Sequence, residues 1–130
     1  MTELVDYLAE NAGHAFSWGK HDCVHFACDW VLARTGRDPL SQWRGRYHDE
    51  GSANNNLISG GGLLQLCERA FHQCGFSTVS LSECQTGDVG MVMATHGLTM
   101  AILNQRNWIC RGENGIVSGP FRAIRIWRIL

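Results

Sequence analysis

Asp22-Cys23-Val24-His25-Phe26-Ala27-Cys28-Asp29-Trp30-Val31-Leu32-Ala33-Arg34-Thr35-Gly36 is the run on which the fold of this chain turns. Asp22 carries the short carboxylate that suits a helix N-cap. Behind it Cys23, Ala27, Trp30, Val31 and Arg34 recur at steps of three and four, the spacing of one face of a helix. Gly36 and Pro39 close the run, the first by tolerating a left-handed turn and the second by being unable to continue a helix. It therefore predicts a central helix with Cys23 in its first turn.

Before that helix, residues 13–21 (GHAFSWGKH) read as an extended turn broken by Gly13 and Gly19. Thr2 to Ala12 predicts a short helix carried by Leu4, Val5, Leu8 and Ala12, with Thr2 as cap and Gly13 as terminator. Beyond the central helix, Ser41 to Ser59 is rich in Gly, Asn and Arg and predicts a long surface loop with room for one helical turn. Gly62 to Cys74 predicts a second amphipathic helix through Leu63, Leu66, Cys67, Ala70 and Phe71, closed by Gly75.

From Phe76 onward the apolar period shortens. Strands are expected over Val89 to Ala94, Leu98 to Leu103, Trp108 to Arg111 and Ala123 to Ile129, with breaks at 86–88, 104–107 and 112–120. Arg122, Arg125 and Arg128 are expected to flank a sheet edge. Helices first and an antiparallel meander second is an α+β order. With no repeat, low-complexity tract or linker, residues 1–130 are expected to form one domain.

Composition narrows the partners. The chain is 45% apolar with 11 basic and 12 acidic residues, a balance that gives no global field to draw in nucleic acid or an anionic membrane. No apolar run approaches the roughly 20 residues that span a bilayer. The first residues carry Glu3, Asp6 and Glu10 rather than a basic start and an apolar core, so no secretory signal is expected and synthesis should end in a cytosol. The six cysteines are then expected to be thiols. Four donors cluster at His21, Cys23, His25 and Cys28, but not as the paired dyads of a structural zinc site, so no metal is expected.

A cysteine at a helix start has a chemical advantage. Unpaired amides and the helix dipole stabilise a thiolate, and the same amides can receive an oxyanion after attack on a carbonyl. A thiol nucleophile also needs a base within hydrogen-bond reach. Of the six histidines, His96 is best placed, where one predicted strand ends and the next begins. His14, His48 and His72 fall on loop or exposed helix positions, and His25 is expected to point away from the inner face.

These residues also fall into a pattern. The run FSWGKHDCVHF (16–26) resembles the NlpC/P60 cysteine-peptidase signature, in which an aromatic-x-Trp-Gly turn leads to Asp-Cys at a helix start. TGDVGMVM (86–93) and THGLTMAIL (95–103) resemble the Gly-Asp strand and histidine strand of that family. DWVLARTGRDPLSQWRGRY (29–47) is similar to small phage-encoded proteins grouped as NlpC/P60-like.

The resemblance implies a papain-like fold, with central N-terminal helices packed on a C-terminal antiparallel sheet. It makes Cys23 the nucleophile and His96 the base, with Asp22 capping the helix beside the oxyanion amides. The third, orienting residue would fall near Cys110 or Asn114. Phe16 and Trp18 would lie against substrate, although Trp18, like Trp30 and Trp127, reads as core packing on composition. Phe16 stands where the family usually has a tyrosine, and Val24-His25 replaces its Ser-Gly. The implied activity is hydrolysis of peptidoglycan stem peptides without a cofactor, from a phage tail and among other tail proteins. Two rival readings share the residues: a tail assembly component that keeps the fold without the activity, and a thiol acyltransferase or hydrolase acting on another amide.

Overall fold

The computed structural model describes residues 3–59, 61–95 and 97–130, with the backbone alone over 56–59. Among these residues four helices come first: α1 (Leu4–Asn11), α2 (Cys23–Thr35), α3 (Glu50–Ser59) and α4 (Leu63–Gln73). Six strands follow: β1 (Ser77–Thr78), β2 (Val89–Ala94), β3 (Gly97–Asn104), β4 (Asn107–Arg111), β5 (Ile116–Gly119) and β6 (Arg122–Arg128). The fold is α+β, with every strand pairing antiparallel to its neighbours.

The order across the sheet is β1-β6-β2-β3-β4-β5. That departs from a simple meander, because β6 returns past three strands to pair with β2. The arginines of β6 accordingly do not flank an outer edge. Arg128 reaches the carboxylate of Asp88 at 2.8 Å, and Arg125 reaches Glu68 at 2.8 Å. Asp88 is fully buried and also accepts the Gln85 amide at 2.8 Å. The Gly-Asp pair before β2 therefore ties the preceding loop to the sheet.

Helix α2 crosses one face of the sheet. Phe26, Ala27, Trp30 and Val31 pack there against Val89, Met91, Met100 and Ile102. Each fully buried large side chain of this set contributes roughly 1.5–3 kcal/mol. The Trp30 indole donates to the Gly87 carbonyl at 3.0 Å, which ties the helix to the start of β2. The opposite face of the sheet buries a smaller cluster of Val92, Ala101, Leu103, Trp108, Cys110 and Ile126. Gly90 sits under Trp108, where an added Cβ would meet the indole ring at 2.6 Å.

The helix ends follow the sequence. Asp22 caps α2 and Gly36 closes it at φ 78°. At the end of α4, Phe76 N–H donates to Phe71 O at 3.0 Å and Gly75 N–H to His72 O at 2.9 Å, the paired bonds of a left-handed terminator. The Phe71 and Phe76 rings meet over it at 5.9 Å.

Two expectations are corrected. The loop expected over Ser41 to Ser59 contains helix α3, which begins as Ser52 N–H donates to the Asp49 carboxylate at 2.7 Å and the Ser52 hydroxyl accepts from His48 N–H at 3.0 Å. The break expected over 112–120 contains β5, paired with β4 from Arg111↔Ile116 to Trp108↔Gly119. The expected Thr2 cap lies outside the described residues. Helix α1 starts after Glu3, which makes no side-chain cap.

Candidate active site around Cys23

The site is built on a turn and a cap. Residues 17–21 fold back so that Ser17 and His21 pair, with His21 N–H donating to Ser17 O at 2.8 Å. Gly19 stands at the tip with φ 80°, and a Cβ there would meet the Tyr47 carbonyl at 2.3 Å. Only glycine fits. The turn delivers Asp22 to the head of α2, where its carboxylate is buried and fully engaged. One oxygen accepts the His25 amide at 2.8 Å and faces His25 Nδ1 at 3.0 Å. The other accepts the Gly19 amide at 2.9 Å and the Tyr47 hydroxyl at 2.7 Å. Burial opposes charge on Asp22, but the hydrogen bonds from the His25 ring, the His25 amide and Tyr47 outweigh it, and the carboxyl is held below its ordinary range.

Cys23 follows as the first residue of α2 and is half-buried. Burial pushes its thiol above the ordinary value, and the neighbouring Asp22 charge pushes the same way. The Thr99 hydroxyl and the Met100 and Cys23 amides favour the thiolate without overcoming burial. The depression expected from the helix start is therefore not the net result: the resting group is a thiol.

The sulfur opens on a cavity of about 220 Å³. Phe16 and Trp18 line it, their rings edge to face at 4.9 Å, together with Leu63 and Leu66 of α4 and Leu98 of β3. Trp18 is 39% exposed, so it belongs to the rim of this space rather than to the core expected for it. Trp30 and Trp127 are buried as expected.

His96, the candidate base, lies outside the described residues. Its described neighbours Ala94 and Gly97 pair as the last rung of the β2–β3 hairpin. The two candidates for an orienting residue are not brought to the cavity. Cys110 faces the smaller cluster on the far side of the sheet, where burial raises its thiol to about 11. Asn114 is exposed in the turn between β4 and β5. Arg111, next to Cys110, grips the Asn11 and His14 carbonyls at 2.8 Å each and lies over the Phe26 ring.

Tyr47 and His25 are the residues that sequence reasoning missed. Tyr47 falls in the predicted loop and His25 was expected to face outward, yet both are buried and meet at 3.0 Å around the Asp22 carboxylate. Burial, then the Asp22 charge, push the Tyr47 phenol well above its usual value, so it stays a donor. Arg44, in the same predicted loop, is bound by Asp29 and Asp38 at 2.7 Å each. All six cysteines are free. No group of three or more His, Cys, Asp or Glu side chains able to hold a metal occurs among the described residues, and no described helix is long and apolar enough to cross a membrane.

A family model covering residues 1–129 matches the chain, which belongs to DUF6950, a domain family of unknown function. No curated protein matches it.

Proposed function

We propose that this member of the DUF6950 family is a cysteine peptidase or amidase of the papain-like NlpC/P60 type, acting on peptidoglycan stem peptides. The observation that carries the reading is a thiol on the first residue of the sheet-packed central helix, opening on a cavity with a sheet strand alongside. Cys23 attacks the amide carbonyl, and its proton passes to His96. The Cys23 amide holds the oxyanion, and His96 returns the proton to the departing amine. Water then cleaves the thioester. The Thr99 hydroxyl and Met100 amide support the sulfur as charge develops on it.

The resemblance to small phage-encoded NlpC/P60-like proteins supports a place in a phage tail beside other tail proteins, reached after synthesis in the bacterial cytoplasm. Three observations favour the rival assembly reading: the resting thiol is raised, Phe16 offers no hydrogen-bond donor, and neither Cys110 nor Asn114 lines the cavity. Purified murein, digested and followed by mass spectrometry, separates the two. The peptidase reading expects peptide release that disappears in Cys23→Ala and His96→Ala. Absence of release by the parent protein, with Cys23→Ala phage still building infectious tails, overturns it in favour of assembly.

A further inference from the structure

We propose that the cavity beside Cys23 is a subsite for an apolar acyl group, so that the attacked bond is an amide, ester or thioester whose carbonyl carries an aliphatic or aromatic substituent. The proposal rests on Cys23 being the nucleophile and is independent of the stem-peptide substrate; it concerns only the group next to the attacked carbon.

Size is the first argument. At about 220 Å³ the space exceeds the roughly 150 Å³ apolar cavity that takes up benzene. A ring or a medium-length chain fills it, whereas an alanine methyl leaves most of it empty. Lining is the second. Phe16, Trp43, Leu63 and Leu66 face the space, and no lysine, arginine or histidine does so among the described lining residues. Asp22 is the one carboxylate there, and both of its oxygens are already engaged by Gly19, His25 and Tyr47. A charged occupant would lose its hydration and gain no charged partner among these described residues.

Position is the third argument. Cys23 forms part of the wall, so the occupant lies within a few bonds of the carbon under attack. Trp18 and Leu98, each 39% exposed, border both the cavity and solvent and mark its mouth. The leaving group departs through that mouth, and the acyl part stays inside, bonded to sulfur.

The test uses 4-nitrophenyl esters of acetic, butyric, octanoic and dodecanoic acids. In each, Cys23 Sγ bonds to the acyl carbon, the thiol proton goes to the base, and 4-nitrophenolate leaves with the bonding electron pair. Intact-mass spectrometry reads the thioester on Cys23. The octanoyl ester is expected to acylate Cys23 roughly tenfold or more faster than the acetyl ester. Leu66→Trp, which fills the space, should collapse that ratio. A binding arm removes dependence on chemistry: folded Cys23→Ala is titrated with octanamide and with acetamide by calorimetry. Tighter binding of octanamide by roughly tenfold is the expected result. Equal binding of the two amides, or an acylation rate that ignores chain length, overturns the subsite. Octanamide binding by a protein that releases nothing from murein leaves the subsite standing and fails the stem-peptide reading. Murein cleavage without chain-length preference does the reverse.

Discussion

Tyr47 donates its hydroxyl to a buried carboxylate that the buried His25, through its amide and its imidazole, and the half-buried Gly19 amide also contact. Tyr47→Phe removes one charge-assisted bond and leaves the ring in place. It should cost about 2 kcal/mol, a typical value for a hydrogen bond to a charged group. Urea unfolding measures it, and an unchanged midpoint would show that the bond contributes nothing. Cys23 supports a second expectation, in pH. Its folded thiol is raised by burial, so at neutral pH it holds its proton more firmly than a free cysteine at about 8.5. Iodoacetamide labelling of Cys23 should therefore keep rising with pH beyond the point where a free thiol levels off. For stability the sign is the opposite. A thiol whose folded value is raised contributes fully below the unfolded value, and that contribution is lost as pH climbs through the folded one. The buried Cys28 and Cys67, both also raised by burial, add to the same alkaline loss, which a series of thermal midpoints would follow.

Helix α2 could be read from the chain because its cap, stripe and terminator all lie within one contiguous run, and the same is true of Phe16, Asp22 and Cys23 in the site. Helix α3 could not, since EGSANNNLIS carries no apolar stripe and starts through an exchange between Asp49 and Ser52. The spacing of that pair was the one local signal. Tyr47 joined the site unannounced because its partners are 22 and 25 residues away along the chain, and no local pattern encodes a fold-back of that span. Strand β5 was missed for a third reason: its two middle residues, Val117 and Ser118, are exposed, so it lacks the alternation that marks a half-buried strand. Within β2, Gly90 tests how closely the far cluster is packed. The Cβ of Gly90→Ala would meet Trp108 at 2.6 Å, and overpacking of that kind costs about 1–3 kcal/mol. A matching fall in the unfolding free energy is expected, and the pair Gly90→Ala with Trp108→Leu should recover part of it.

Across the whole molecule, one ion pair joins the last strand to the loop before β2. Asp88 is fully buried, and Arg128 reaches it from β6. Arg128→Met would strand that carboxylate without its cation, which costs about 3–5 kcal/mol for a buried pair broken on one side. Guanidinium unfolding would register the loss, and adding Asp88→Asn to the same chain should restore much of it. The sheet order β1-β6-β2 has a further consequence for how the molecule comes into being. During synthesis β2 and β3 can zip together as a hairpin, but the free side of β2 finds its neighbour only after residues 122–128 have left the ribosome. Until then a row of open amides and carbonyls on a Val-Gly-Met-Val-Met strand faces outward. The nascent protein passes through a sticky interval that ends only when β6 slides in between β1 and β2.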